Sequence, residues 1–191
     1  MRAIVLVVAL LTACSSYRGT ARSVAPSKIA AEPGWILIRD VPYVEQEGET
    51  ECGAAAIAMV VSYWTKSEPK PIVASFRPVP ERGLAAARLR DYARTMGLAS
   101  FVIEGTFEDL QRELKAGRPV VVGLTKPYGR KKVLDHYEVV VGVHPGRRLV
   151  VTLDPANGWQ QDDVDGFARE WKPAGYVTLI VSAKANAAAA R

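Results

Sequence analysis

The chain has 191 residues, 49% of them hydrophobic and 24% charged, and carries a net charge of +5. That is long enough for one domain with a real core, too short to argue for two, and too apolar for wholesale disorder. Its basic residues form no stripe interleaved with aromatics, which argues against a nucleic-acid partner. Those near the N-terminus (Arg18, Arg22, Lys28) and between Lys126 and Asp135 (Lys126, Arg130, Lys131, Lys132) are expected to be solvated surface.

The first residues read as an export signal. Arg2 precedes an apolar run from Ala3 to Leu11, too short to span a bilayer permanently, and small residues follow. Leu11-Thr12-Ala13-Cys14 resembles the bacterial lipobox, in which the cysteine is acylated and becomes the mature N-terminus. The alternative is an ordinary signal peptide with a chance cysteine. The lipobox reading implies a signal over residues 1–13 and a lipid anchor in the cell envelope. Ser15 after Cys14 adds, by the same resemblance, the outer membrane facing the periplasm. Residues 14–34 are polar and aperiodic and are expected to form a flexible tether. With Cys14 acylated, Cys52 has no disulfide partner and stays a free thiol in an oxidising compartment.

The folded domain is expected over residues 35–182. Trp35 to Ile38 is a short strand, and Asp40 to Gln46 leads to Cys52. Gly53 to Trp64 is apolar nearly all round, the pattern of a buried helix. Cys52 thus stands at a helix N-terminus, where unpaired N–H groups and the helix dipole favour an anion such as a thiolate. A small buried structural cysteine fits the same stretch equally well. Lys66 to Arg82 holds four prolines and reads as a loop. Gly83 to Met96 is an amphipathic helix closed by Gly97. Ser100 to Glu104 is a strand, Thr106 caps a helix ending at Gly117, and Val120 to Val122 marks a buried strand. A basic loop, Lys126 to Asp135, follows. His136 to Val143 and Arg148 to Asp154 form a hairpin about Pro145-Gly146. Asp163 to Trp171 is a short helix, Tyr176 to Val181 the last strand, and residues 183–191 a frayed alanine-rich tail. The element order gives an α+β domain, one buried helix first and a mostly antiparallel sheet after it.

A cysteine nucleophile needs a base and a group that orients that base. Of the two histidines, His144 falls in the hairpin turn and reads as an exposed loop residue, whereas His136 begins a strand. The hairpin brings Asp154 to the same end as His136, although one residue of register decides which face each side chain uses. Two unrelated polar residues at strand ends is the alternative. No metal or cofactor is expected, since two histidines and one free cysteine do not fall at ligand spacing.

Gln46-Glu47-Gly48-Glu49-Thr50-Glu51-Cys52-Gly53, then GLAAARLRDYARTMGLAS, GRPVVVGL, HYEVVVGV and VVTLDPANGW run in the order seen in another group. Over Val41 to Val181 the chain resembles the bacteriocin-processing, double-glycine-leader cysteine peptidases. The resemblance implies a papain-like fold in which Cys52 is the nucleophile, His136 the base, Asp154 its orienter and Gln46 the oxyanion-hole donor. It implies hydrolysis of a peptide bond after a Gly-Gly type leader; the substrate is expected to be a secreted or envelope peptide or protein, and the chain a monomer. The chain departs from the family in having Glu51 where an aspartate is common, a longer basic loop, and an export signal in place of a transporter. An acyl or peptidyl transferase on the same triad, and a non-catalytic peptide-binding lipoprotein, are the alternatives.

Overall fold

The computed structural model describes residues 19–128 and 132–184. The expected signal, Cys14, the basic pair Arg130 and Lys131, and the tail from residue 185 lie outside the described residues. The framework is an antiparallel sheet. Its central hairpin joins β4 (Val120–Tyr128) to β5 (Lys132–His144), paired from Val120–Val140 out to Tyr128–Lys132. Next to β5 lie β6 (Leu149–Asp154) and then β7 (Gly158–Asp163), with β1 (Arg22–Ser23) beyond. On the other side β4 pairs with β8 (Val177–Ser182), which pairs with β3 (Ala99–Glu104). The short β2 (Ile36–Leu37) pairs with β5 away from this path.

Side-chain alternation gives β5 two duties. Tyr137 meets Gly53 of α2 (Cys52–Thr65), where an added Cβ would stand 3.2 Å from the tyrosine ring. Neighbouring Glu138 meets Lys126 and, through it, Glu170 of α6 (Val164–Trp171). Residues 52–62 of α2 are all buried, as their continuous apolar and alanine composition requires. They pack on β5 and on α3 (Pro69–Ala74) and α4 (Ala86–Thr95). Thr106 caps α5 (Phe107–Lys115) in a reciprocal box with Asp109, as its position before the apolar run predicts.

Four expectations need correction. Residues 19–34 do not form a free tether: β1 pairs with β7, and α1 (Pro26–Ala31) buries Ile29 in the core. Within the proline-rich Lys66–Arg82 stretch, Pro69 starts α3, because proline at the first helical position lacks only an N–H that would be unpaired anyway. The basic loop Lys126 to Asp135 is largely the outer part of the β4–β5 hairpin. Strand β7 went unrecognised because GWQQDD shows no apolar alternation; Gln160 and Asp162 turn inward to polar partners instead.

Candidate active site

The β5–β6 hairpin decides whether His136 and Asp154 can meet. From the turn, Val143 faces Val150 and Gly142 faces Val151; the register then shifts, and Val140 faces Thr152. Val141 is the extra residue of this bulge. Continued without it, the turn-proximal register would set Asp154 opposite an odd-numbered residue and put His136 on the other face. With it, Asp154 shares the face of Glu138 and His136. His136 Nε2 then lies 2.7 Å from Asp154 Oδ1, with both residues fully buried at 0% exposure.

Asp154 is itself held. Its Oδ1 accepts from the backbone N–H of Ala156 at 2.8 Å, and its Oδ2 accepts from Asn157 Nδ2 at 2.7 Å. Burial alone would favour the neutral acid, but the His136 hydrogen bond and charge, and then Lys126, hold the carboxyl well below the usual carboxylate range. Burial likewise opposes a charged imidazole. The hydrogen bonds to Asp154 and Cys52 outweigh it and push His136 up to about 9. With Nε2 committed to Asp154, Nδ1 is the nitrogen left for the sulfur.

Cys52 is the first residue of α2 and is 5% exposed. No side chain caps this helix, because Glu51 is turned away to Arg77, which it meets at 2.8 Å. Arg77 also bonds Glu47 at 2.5 Å, so it pins both ends of the bend before Cys52. The Arg77 hydrogen bond is the main reason that Glu51 is held below the ordinary range. The same bend is stitched to the turn after Asp154: Gln46 N–H donates to Pro155 O at 3.0 Å, and the Tyr43 hydroxyl donates to that oxygen at 3.2 Å. The Gln46 side chain donates from Nε2 to Gly48 O at 2.9 Å, which commits one of its two amide N–H bonds.

A groove of about 510 Å³ opens at Cys52, walled by Glu49, Thr50, Arg82 and Gly83 and by Val133, Leu134 and Asp135 of the hairpin arm. Val133 is 67% exposed there. Another hollow of about 450 Å³, lined by Phe107, Phe167, Trp171 and Tyr176, carries no cysteine or histidine. His136, Glu138 and Asp154 present ligand atoms within 4.8 Å of one another, the spacing of a cation site. The Lys126 ammonium contacts Glu138 and lies 3.9 Å from Asp154, so a side chain already supplies positive charge to this cluster.

The structure therefore brings Cys52, His136 and Asp154 together and sets Gln46 on the bend that precedes Cys52. His144 is not an exposed loop residue but the half-buried last residue of β5: its ring packs on Trp35, its Nε2 lies 3.1 Å from Pro33 O, and its Nδ1 accepts from Arg147 N–H. Sequence reasoning missed Tyr137, whose hydroxyl is pushed up to about 12 by burial and then by the Cys52 charge. It also missed Arg77, and it misassigned Lys126, which is 2% exposed rather than solvated. Strict alternation along β4 was the available signal: Val122, Leu124 and Lys126 share one face.

Residues 38–179 match the Peptidase_C39 like family. The fold is similar to that of a double glycine motif protease from an AMS/PCAT transporter, solved in complex with the leader peptide. That pair shares 24% identity and a TM-score of 0.58 over 76% of this chain and 92% of the other. The peptidase domain of Streptococcus ComA, a bi-functional ABC transporter involved in a quorum sensing pathway, matches at 20% identity and TM-score 0.60, covering 75% and 100%. A C39-like peptidase from Bacillus anthracis matches at 15% identity and TM-score 0.63, covering 80% and 99%. No curated protein sequence matches the chain.

Proposed function

Because the chain belongs to the Peptidase C39-like family and is a cysteine peptidase, we propose that it hydrolyses a peptide bond through Cys52, His136, Asp154 and Gln46. In this reading His136 takes the Cys52 proton, and the thiolate attacks the scissile carbonyl carbon. The oxyanion receives the Cys52 backbone N–H and the uncommitted amide N–H of Gln46. The imidazolium then protonates the leaving amine, and a thioester remains on Cys52. A water molecule, deprotonated by His136, releases the acid and restores the thiol. Asp154 fixes the ring and favours its charged form. The observation that carries the reading is the fully buried 2.7 Å His136–Asp154 contact beside a cysteine that opens an uncapped helix.

The substrate we propose is a peptide or protein of the secretory pathway or envelope. Leu11-Thr12-Ala13-Cys14 supports a lipid anchor at Cys14 and hence a bacterial envelope location, with the outer membrane facing the periplasm as the proposed site. No helix among the described residues is long and apolar enough to cross a membrane. The double-glycine relative, solved with its leader peptide, supports a small-residue cleavage site as one candidate specificity. The test is alkylation of Cys52 by iodoacetamide at neutral pH. His136→Ala should label much more slowly than the parent protein; equal rates would remove His136 as the base. Comparison of envelope and secreted peptides between a wild-type and a Cys52→Ala strain would identify the substrate.

A further inference from the structure

Behind His136 and Asp154 lies a cluster of buried charge that the mechanism above does not use. Lys126 of β4 contacts Glu138 of β5, lies 3.5 Å from Glu170 of α6, and lies 3.9 Å from Asp154 of β6. Glu138 is 1% exposed, and its other oxygen accepts from the Thr152 hydroxyl at 2.5 Å. Glu170 accepts from Thr20 N–H at 2.7 Å, and the Thr20 hydroxyl also bonds Asp162 of β7. Three carboxylates from three elements thus converge on one ammonium.

Glu138 is the member that threatens the triad. Its Oε1 stands 4.0 Å from His136 Nε2, the nitrogen that Asp154 holds at 2.7 Å. Two buried carboxylates that close, without a counter-charge, cannot both stay ionised; one takes up a proton or moves to the imidazole. The counter-charge lies on Glu138. We propose that Lys126 is a positioning residue for the triad: seated among Glu138, Asp154 and Glu170, its ammonium holds Glu138 off His136 and leaves the imidazole to Asp154. This rests on the reading of Cys52, His136 and Asp154 given above.

Among the described residues Lys126 faces Glu138, Asp154 and Glu170, with Asp162 beyond them, so its removal has a defined consequence. Lys126→Met keeps much of the length of the stem and deletes the charge. Glu138 is then left without its counter-charge 4.0 Å from Nε2, and His136 loses its undivided partner. The measurement is the iodoacetamide labelling rate of Cys52 in the full chain from pH 5 to 10, with folding checked by circular dichroism. Lys126→Met should label at least about tenfold more slowly at neutral pH, its acidic limb displaced upward by about one pH unit, which a tenfold change implies. Lys126→Arg should keep the parent profile. Lys126→Met combined with Glu138→Gln, which removes both charges, should recover most of the lost rate.

Parent-like labelling by folded Lys126→Met would overturn the proposal. So would a folded double variant as slow as the single one, because that result assigns Lys126 to packing alone. If Lys126→Met does not fold, the double variant carries the decision. Failure of the triad reading is distinguishable, since there His136→Ala would label like the parent whatever Lys126 does.

Discussion

Replacing Asp154 by asparagine tests the centre of the site with almost no change in shape. His136 ordinarily titrates near 6.5 and stands here at about 9, with burial working against the charged ring. That interval corresponds to on the order of 3 kcal/mol in favour of imidazolium. The Asp154 hydrogen bond is the largest favourable contribution, followed by the Cys52 hydrogen bond and then the charges of Asp154 and Cys52. Removal of the carboxylate leaves the burial penalty in force, so His136 should fall back to or below its ordinary range. At pH 7.5 the imidazolium would then be the minor form, and alkylation of Cys52 should slow by roughly 10- to 100-fold. Turnover should suffer more, because an asparagine amide facing Nε2 can select the wrong tautomer; in a Ser-His-Asp triad the same change costs about 10⁴. Stability carries a second signature. His136 is raised on folding, so its contribution is complete below 6.5 and is lost as pH rises through about 9. Asp154 is lowered from 3.8, so its contribution is complete above 3.8 and is lost as pH falls further. The Tm gap between parent and Asp154→Asn should therefore be widest between about pH 4 and 6.5 and narrow toward pH 9. Superimposable labelling profiles for the two proteins would refute this account.

Gln46→Ala should lower kcat by about 10²–10³ if its amide binds the oxyanion, while Cys52 alkylation, which forms no oxyanion, stays close to parental. Steady-state cleavage of a peptide substrate alongside labelling separates the two effects. Deletion of Val141 removes the bulge; it should send His136 and Asp154 to opposite faces and abolish rapid labelling even in molecules that retain secondary structure. Thr106→Ala breaks the cap of α5 and should cost about 1 kcal/mol by denaturant titration, with the labelling profile unchanged.

The elements with local signals were legible in the sequence. The apolar run after Cys52, the Thr106 cap and the Val120–Val122 strand all appear where patterning and caps put them. The candidate site was legible as far as residue identity and hairpin proximity. The shared face of His136 and Asp154 was not, because it depends on a bulge at Val141 inside a run of valines and glycine that favours no register locally. Strand β7 and the packing of residues 19–34 escaped for a different reason. Gln160 bonds Ser23 and Thr20 bonds Asp162 across the fold, and each reads as a surface residue in its own segment.

Lys126 is the extreme case of that non-local logic. Along the chain it heads a cluster of cations, and charge runs are normally solvated. In the fold it is the counter-ion to acids that reach it from β5, β6 and α6, separated from it by 12 to 44 positions in sequence. Such a cluster is costly to bury, and its cost is offset only while every charge has its partner. Removing one member leaves its partners desolvated and unmatched, whereas removing a matched pair takes away cost and compensation together. The asymmetry has a functional counterpart here, because the carboxylate left unmatched by loss of Lys126 is the one 4.0 Å from the imidazole. A Lys126→Met protein should consequently be the more damaged, and the doubly neutralised one the more active, although the latter carries more changes.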